Sequence, residues 1–320
     1  MGATDLKGVT AFGESTITND IRENVVAFFE WGILNKGGFV NVELSDSGVY
    51  GGNSSTLRPV NHPHYSAGQV WETHKANWVW QSGLSPTPSP LVANTPSYPG
   101  VSGVYVGSTF YAAGTTGTYS HVLDHENGRV VFNTAIPTGS LVQCEHSYKY
   151  VNITISEGLP WFKEIQQRSE RIDTDFLSTS GSWSQFPRNR VQLPAIGIEI
   201  TPNREMVGYQ LGGGHYVYTD VLFHCIAEDV YMRDALMDTV NLQNQKTINM
   251  FSLNSLADSG TFPLNESGVP ASGALRYPDL TTTYPGGTMY FKDMSIDSIY
   301  SFGNVHVATV KCTTEIVLGV

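Results

Sequence analysis

The chain has 320 residues, of which 40% are hydrophobic and 15% charged, with a formal net charge of −11. That length buries a sizeable core as one large or two ordinary domains, and the hydrophobic fraction excludes a disordered chain. The acidic balance, with no run of clustered Lys and Arg, excludes a general nucleic-acid binder, and no apolar stretch reaches the length of a membrane-spanning helix.

The deficit of charge is filled by Gly (32), Pro (16), Tyr (16) and abundant Ser and Thr, a profile of short strands joined by many turns. Scarce Lys and Glu also suit a surface that meets other protein more than water. The opening Met1-Gly2-Ala3-Thr4-Asp5 lacks the basic-then-apolar pattern of a secretory signal, and Leu6 stands where a myristoylation signal wants Ser or Thr. Cys144, Cys225 and Cys312 lie far apart in apolar, strand-like surroundings, which predicts small buried thiols in a reducing cytoplasm rather than a disulfide or zinc framework.

The first element is a helix over 20–36. Asn19 or Asp20 can cap it, Glu23 supplies the reciprocal acid, Gly37-Gly38 stops it, and Ile21, Val25, Phe28 and Phe29 share one face. Phe39 to Leu44 alternates as a strand. Residues 46–118 change character. Gly51-Gly52-Asn53 and the Pro-rich Ser85 to Pro90 are breakers, with Trp71, Trp78 and Trp80 concentrated between them. This reads as a long excursion or inserted lobe.

The strand signal is strongest from Tyr119 to Ile155. His121-Val122-Leu123 and Arg129 to Phe132 flank Asn127-Gly128, a hairpin signature. The apolar phase then flips between Tyr148 and Val151, which implies a bulge or twist near Tyr150. Pro160 to Asp173 reads as a short polar helix and Gln192 to Thr201 as a strand. Tyr216 to Ile226 is a strand feeding a helix over 229–240, which Asp229 can cap and whose buried stripe is Met232, Ala235, Leu236 and Val240. Thr247 to Phe251 is a strand, 252–288 is turn-rich, and Ser295 to Phe302 and Val305 to Val317 close the chain as strands.

Residues that could carry chemistry each have a plainer role. His62-Pro63-His64, even with His74, fixes no metal geometry. Asp124, His125 and Glu126 suit a solvated turn better than a glycosidase carboxylate pair. Gly212-Gly213-Gly214 lacks the Lys-Ser/Thr of a phosphate loop, and Glu228-Asp229 fits a helix start. No Gly-x-Ser-x-Gly elbow is present. No cofactor is expected. Trp71, Trp78, Trp80, Tyr98, Tyr105, Tyr111 and Tyr119 suit a satellite core, a subunit interface or a sugar platform.

Three stretches carry a resemblance. Residues 21–42, Ile-Arg-Glu-Asn-Val-Val-Ala-Phe-Phe-Glu-Trp-Gly-Ile-Leu-Asn-Lys-Gly-Gly-Phe-Val-Asn-Val, resemble openings of virion proteins of contractile-tailed phages. Asp124-His-Glu-Asn-Gly-Arg-Val-Val-Phe132, through Cys144-Glu-His-Ser-Tyr-Lys-Tyr150, resembles a hairpin of phage neck and tail proteins. Phe223 to Val240 is similar to the strand–helix unit of neck and tail-terminator rings. The resemblance implies a structural virion protein of the neck or head–tail region (connector, collar or terminator-like) with no catalytic role. Its partners would be copies of itself and neighbouring neck, tail or portal proteins, with no membrane and no specific nucleic-acid sequence.

The expected fold is α+β: a β-dominated mixed or antiparallel sheet packed by two main helices, with long extended loops. The expected organisation is 1–45 helix and first strand, 46–118 excursion, 119–251 central sheet with the strand–helix unit, and 252–320 turn-rich segment with closing strands. The expected interface carriers are Phe28, Phe29 and Trp31, which equally suit a core, and Trp71, Trp78 and Trp80. The rival is a tail-fibre, baseplate or receptor-binding module that uses its aromatics on bacterial glycans; a polysaccharide hydrolase would need a convergent carboxylate pair, which the sequence does not display.

Overall fold

A computed structural model describes residues 17–44, 55–86, 100–156, 165–166, 191–208 and 214–318. In chain order the elements are α1 (Ile17–Leu34), β1 (Phe39–Val42), β2 (Arg58–Pro59), β3 (Val70–Glu72), β4 (Gly103–Val106), β5 (Thr109–Ala112), β6 (His121–Asp124), β7 (Arg129–Phe132), β8 (Val142–Gln143), β9 (His146–Lys149) and β10 (Asn152–Ile155). There follow β11 (Ile165–Gln166), β12 (Val191–Gln192), β13 (Ala195–Gly208), β14 (His215–Ala227), α2 (Val230–Asn241), β15 (Thr247–Phe251), α3 (Leu253–Ser259), α4 (Tyr277–Thr283), β16 (Pro285–Phe302) and β17 (Val305–Leu318). The fold is α+β with strands dominant.

The large sheet has the order β10-β13-β14-β17-β16-β15, antiparallel except where β10 meets β13. Alternation puts Ile196 and Ile198, Val221, Phe223 and Cys225, and Ala308, Val310 and Cys312 on one face. That face buries Ile21, Val25 and Phe29 of α1 and Leu236, Met237 and Val240 of α2. Removing a side chain such as Phe223 from water contributes roughly 1.5–3 kcal/mol.

Both helices are terminated as their residues dictate. At the end of α1, Gly37 takes φ 89° while the Gly38 and Gly37 amides donate to Ile33 O and Leu34 O at 2.9 Å, a Schellman closure. Asp229 caps α2, its carboxylate accepting from the Tyr231 amide at 3.1 Å. Asn19 and Asp20 do not cap α1, because the helix already includes them and extends back to Ile17. Asp20 instead places its charge in the first turn, where the helix dipole favours it.

Asn24 is fully buried on α1 and clamps β15. Its Nδ2 donates to Phe251 O at 2.9 Å, and its Oδ1 accepts from Phe251 N at 2.7 Å. One side-chain amide thus replaces a missing neighbour strand at the sheet's edge.

The expected central sheet over 119–251 is divided in the structure. Strands β7 and β8 pair with the preceding excursion, β3 with β7 and β4 with β8, while β9 pairs with β1 of the opening segment. The segment read as an excursion is therefore half of a β lobe with its own core, including Leu57, Trp71, Trp78, Leu123, Phe132 and Val142. Alternation identifies a strand but not its partner, and these strands of two to four residues carry no register signal strong enough to choose one. The phase flip near Tyr150 has the same origin. It is no bulge: β9 ends at Lys149 in one sheet, and β10 begins at Asn152 in another.

The Asn127-Gly128 hairpin forms with Asp124 opposite Arg129, but only Gly128 is left-handed, at φ 63°. Asp124 holds the turn, accepting from Asn127 N at 3.0 Å and Asn127 Nδ2 at 2.8 Å. The helix expected over 160–173 lies outside the described residues except at Ile165–Gln166, which form a strand beside Val191–Gln192. The turn-rich stretch after Ser252 contains α3 and α4.

Candidate functional site

The six aromatics expected at an interface part company in the structure. Trp71 and Trp78 are 1% and 0% exposed, and their indole N–H groups donate to Gly68 O and Thr73 Oγ1. They belong to the satellite core, because the lobe's short strands bury an indole only by wrapping it on both sides. Phe29 is likewise core, its ring centroid 5.0 Å from that of Phe223. Phe28 is half-buried beside it, edge-on to Phe29 at 5.1 Å and to Tyr277 and Phe291 at 5.9 Å.

Trp31 and Trp80 are half-buried and meet in one groove of about 740 Å³. α1 supplies Arg22, Glu23 and Trp31, the β lobe supplies Trp80 and Gln81, and Leu253, Phe262 and Tyr277 close the far side. Glu30 anchors the lobe to α1: its Oε1 lies 2.8 Å from Lys149 Nζ and also accepts from Gln81 Nε2. Arg276 ties the remaining wall. Its guanidinium lies 5.3 Å from the Trp31 ring centroid, donates to Ser82 O at 3.0 Å and pairs with Asp279 at 2.6 Å. Burial raises the Glu23 carboxyl above the usual carboxylate range, and the Arg22 charge offsets part of this. Sequence gave no reason to join Trp31 with Trp80, since helix and lobe meet only in three dimensions.

The residues weighed for chemistry are otherwise engaged. His62 and His64 lie 5.0 Å apart, and among the described residues no group of three His, Cys, Asp or Glu is arranged to hold a metal. Both Asp124 oxygens accept from Asn127. All three cysteines are free and buried; burial pushes the Cys225 thiol up to about 12 and raises Cys144 and Cys312, so thiolate chemistry at neutral pH is disfavoured.

The second face of the large sheet carries polar cross-strand clusters that alternation alone did not reveal. His224 Nε2 lies 2.9 Å from Glu199 Oε2, and its Nδ1 lies 3.2 Å from Thr309 Oγ1. Hydroxyl, imidazole and carboxylate in that order match the connectivity of an acyl-transfer triad. Thr309, however, is 4% exposed in mid-strand, where a substrate carbonyl has no approach. Beside it Asp220 accepts from Thr313 at 2.7 Å, Lys311 at 2.9 Å and Asn203 at 3.1 Å. Burial pushes the Asp220 carboxyl up, but these hydrogen bonds and the Lys311 charge outweigh it and hold it below its ordinary value. These polar groups satisfy one another, and Asn203, Asp220 and Thr313 also line an open pocket of about 460 Å³.

Apolar exposure concentrates elsewhere, at the far ends of the long strands. Ile296, Ile299, Tyr300 and Phe302 on β16 are 43, 51, 41 and 41% exposed, and Met206 and Val207 on β13 are 52 and 40% exposed. Tyr300 and Phe302 stack on one side with centroids 6.3 Å apart. Both stretches lie at the C-terminal ends of their strands. No protein-family model matches the chain, and no curated protein matches it.

Proposed function

We propose that the chain is a non-enzymatic structural subunit that assembles into a homo-oligomeric ring in the neck or head–tail region of a tailed-phage virion. The observation that carries this reading is the group of exposed apolar side chains at the C-terminal ends of β16 and β13, at the two margins of the large sheet. The virion context comes from the three resembling stretches. They fall on α1 and β1, on the β6–β7 hairpin through β9, and on the β14–α2 strand–helix unit. The net charge of −11 suits a ring that does not hold DNA by its phosphates.

The test is negative-stain microscopy of the purified chain with light scattering. Ring particles with a single subunit count support the reading; a monomer at every accessible concentration refutes it. The groove of Trp31 and Trp80 favours the glycan-binding rival, since half-buried indoles that line an open groove can stack on sugar faces. Binding to a bacterial glycan array that is lost in Trp80→Ala, from a chain that forms no rings, would establish that rival instead.

A further inference from the structure

The large sheet has two stepped margins, and their geometry commits them to one occupant. On one margin β15 pairs only with residues 285–290 of β16. Beyond Met294, whose amide donates to Asn244 Oδ1 at 3.1 Å, no strand among the described residues runs beside Ser295 to Ser301 on the side away from β17. On the other margin β10 pairs only with Ala195 to Ile198 of β13. No strand among the described residues runs beside Glu199 to Gly208 on the side away from β14.

Register places these open stretches at opposite ends of the sheet as well as on opposite sides. Ser298 is level with Thr309, His224 and Gly197, the end that β10 covers. Glu205 is level with Tyr218, Glu315 and Tyr290, the end that β15 covers. β16 runs parallel to β14 and hence antiparallel to β13. The open part of each margin therefore matches the covered part of the other, as in the two halves of a lap joint. Both open stretches carry exposed apolar side chains, Ile296 and Ile299 on one and Met206 and Val207 on the other.

We propose that Ser295–Ser301 of one copy pairs antiparallel with Arg204–Gly208 of the next copy, past the register shift and Pro202 that interrupt β13, so that the large sheet continues from subunit to subunit. The occupant is a second copy of this chain, and the inference rests on the assembly reading above. The contact is heterologous, so it must close or climb. His224 and Tyr218, the levels of the two open stretches on β14, are six positions apart, a stagger of about 20 Å at ~3.4 Å per residue. The four strands from β13 to β16 span about 19 Å at ~4.8 Å each. Strands tilted about 45° to the ring axis absorb that stagger, at the upper end of the 35–45° typical of closed barrels. The joint fits a closed ring.

Two double variants at exposed positions test it: Ile296→Lys with Ile299→Lys on one margin, and Met206→Lys with Val207→Lys on the other. Light scattering is expected to show the unmodified chain as an oligomer and each variant as a folded monomer by circular dichroism. An equimolar mixture is expected to stop at dimers, because each variant keeps one intact margin. A mixture that stays monomeric, or one variant that self-associates while the other does not, overturns the joint. Variants that still form the full oligomer also overturn it while leaving the ring reading intact; a monomeric unmodified chain removes the ring reading itself. Independently of folding changes in the lysine variants, a Glu205→Cys chain oxidised with Ser295→Cys, Ser298→Cys or Ser301→Cys chains is expected to give a mixed disulfide with at least one of them. Failure of all three pairs overturns the proposed pairing.

Discussion

Replacing Asn24 with Ala tests how the first helix is fastened to the sheet. Asn24 is 0% exposed and Phe251 is 4% exposed, so water does not substitute readily for the lost amide. The change leaves the Phe251 N–H and C=O without the partners that hold them at 2.7 and 2.9 Å. A buried donor or acceptor left unsatisfied costs about 1–3 kcal/mol, so the two together are expected to cost about 2–6 kcal/mol. Asn24→Asp keeps an oxygen for the Phe251 amide but turns a second oxygen towards Phe251 O, and is expected to destabilise at least as much. Urea denaturation followed by circular dichroism reads the midpoint. Hydrogen exchange at the Phe251 amide reads the local opening, which should accelerate in Asn24→Ala. A loss below ~0.5 kcal/mol with unchanged exchange would refute the clamp. The same opening is expected to loosen the groove, whose walls include both α1 and Phe251.

Glu72 and Arg129 are cross-strand neighbours in the lobe with side chains 11% and 6% exposed, so Glu72→Gln is expected to cost about 3–5 kcal/mol in denaturant midpoint by stranding the guanidinium. His146 is 1% exposed, and burial pulls it from 6.5 down to about 4 despite its contact with Cys144 O. Its folded pKa lies below the unfolded value, so this stability is intact above about 6.5 and is lost as pH falls towards about 4. The loss is on the order of 2–3 kcal/mol, and His146→Gln is expected to flatten that part of a stability–pH curve. Gly128→Ala puts a methyl 2.6 Å from Lys75 O at φ +63°, and its melting temperature is expected to fall by several degrees. In acrylamide quenching, Trp31→Phe and Trp80→Phe are each expected to reduce the quenchable emission, whereas Trp78→Phe leaves it unchanged, since Trp78 is 0% exposed.

Local grammar was legible and partnership was not. The glycine stop of α1, the Asp229 cap and the Asn-Gly hairpin are written within a few residues of chain, where backbone geometry constrains side-chain choice directly. The stripe Ile21, Val25, Phe29 and the alternation of Ile196 and Ile198 named the two halves of the main core before either had a position. What failed was long-range. Nothing near Trp71 says that β3 will lie against β7, and the flip between Tyr148 and Val151 looks alike whether a strand bulges or changes sheets. Of the six aromatics, sequence could not separate Trp78, wrapped by His125 and His146, from Trp80, two residues on, which faces the groove. Period two puts both on the same side, and burial was decided by a lobe assembled from distant segments.

The chain treats its faces and its margins differently. One face of the large sheet is packed by α1 and α2. Much of the other is satisfied by its own pairs, Glu199 with His224, Asp220 with Lys311, and Lys292 with Glu315 at 3.7 Å. Edges are commonly protected by short strands, charges, prolines or bulges, and Pro202 with the register shift between Ile200 and Arg204 interrupts the β13 margin in this way. Beyond these, Arg204 to Gly208 and the end of the 18-residue β16 carry Met206, Val207, Ile296 and Ile299 to the surface. Tyr231 and Leu242 are more exposed still, at 84 and 79%, but they stand at opposite ends of α2, and scattered single residues need no partner. An edge that carries several exposed apolar side chains is different, because a neighbouring strand satisfies its backbone and its side chains together. That coincidence of open backbone and apolar surface is why the margins, and not the groove or the polar clusters, carry the proposed assembly.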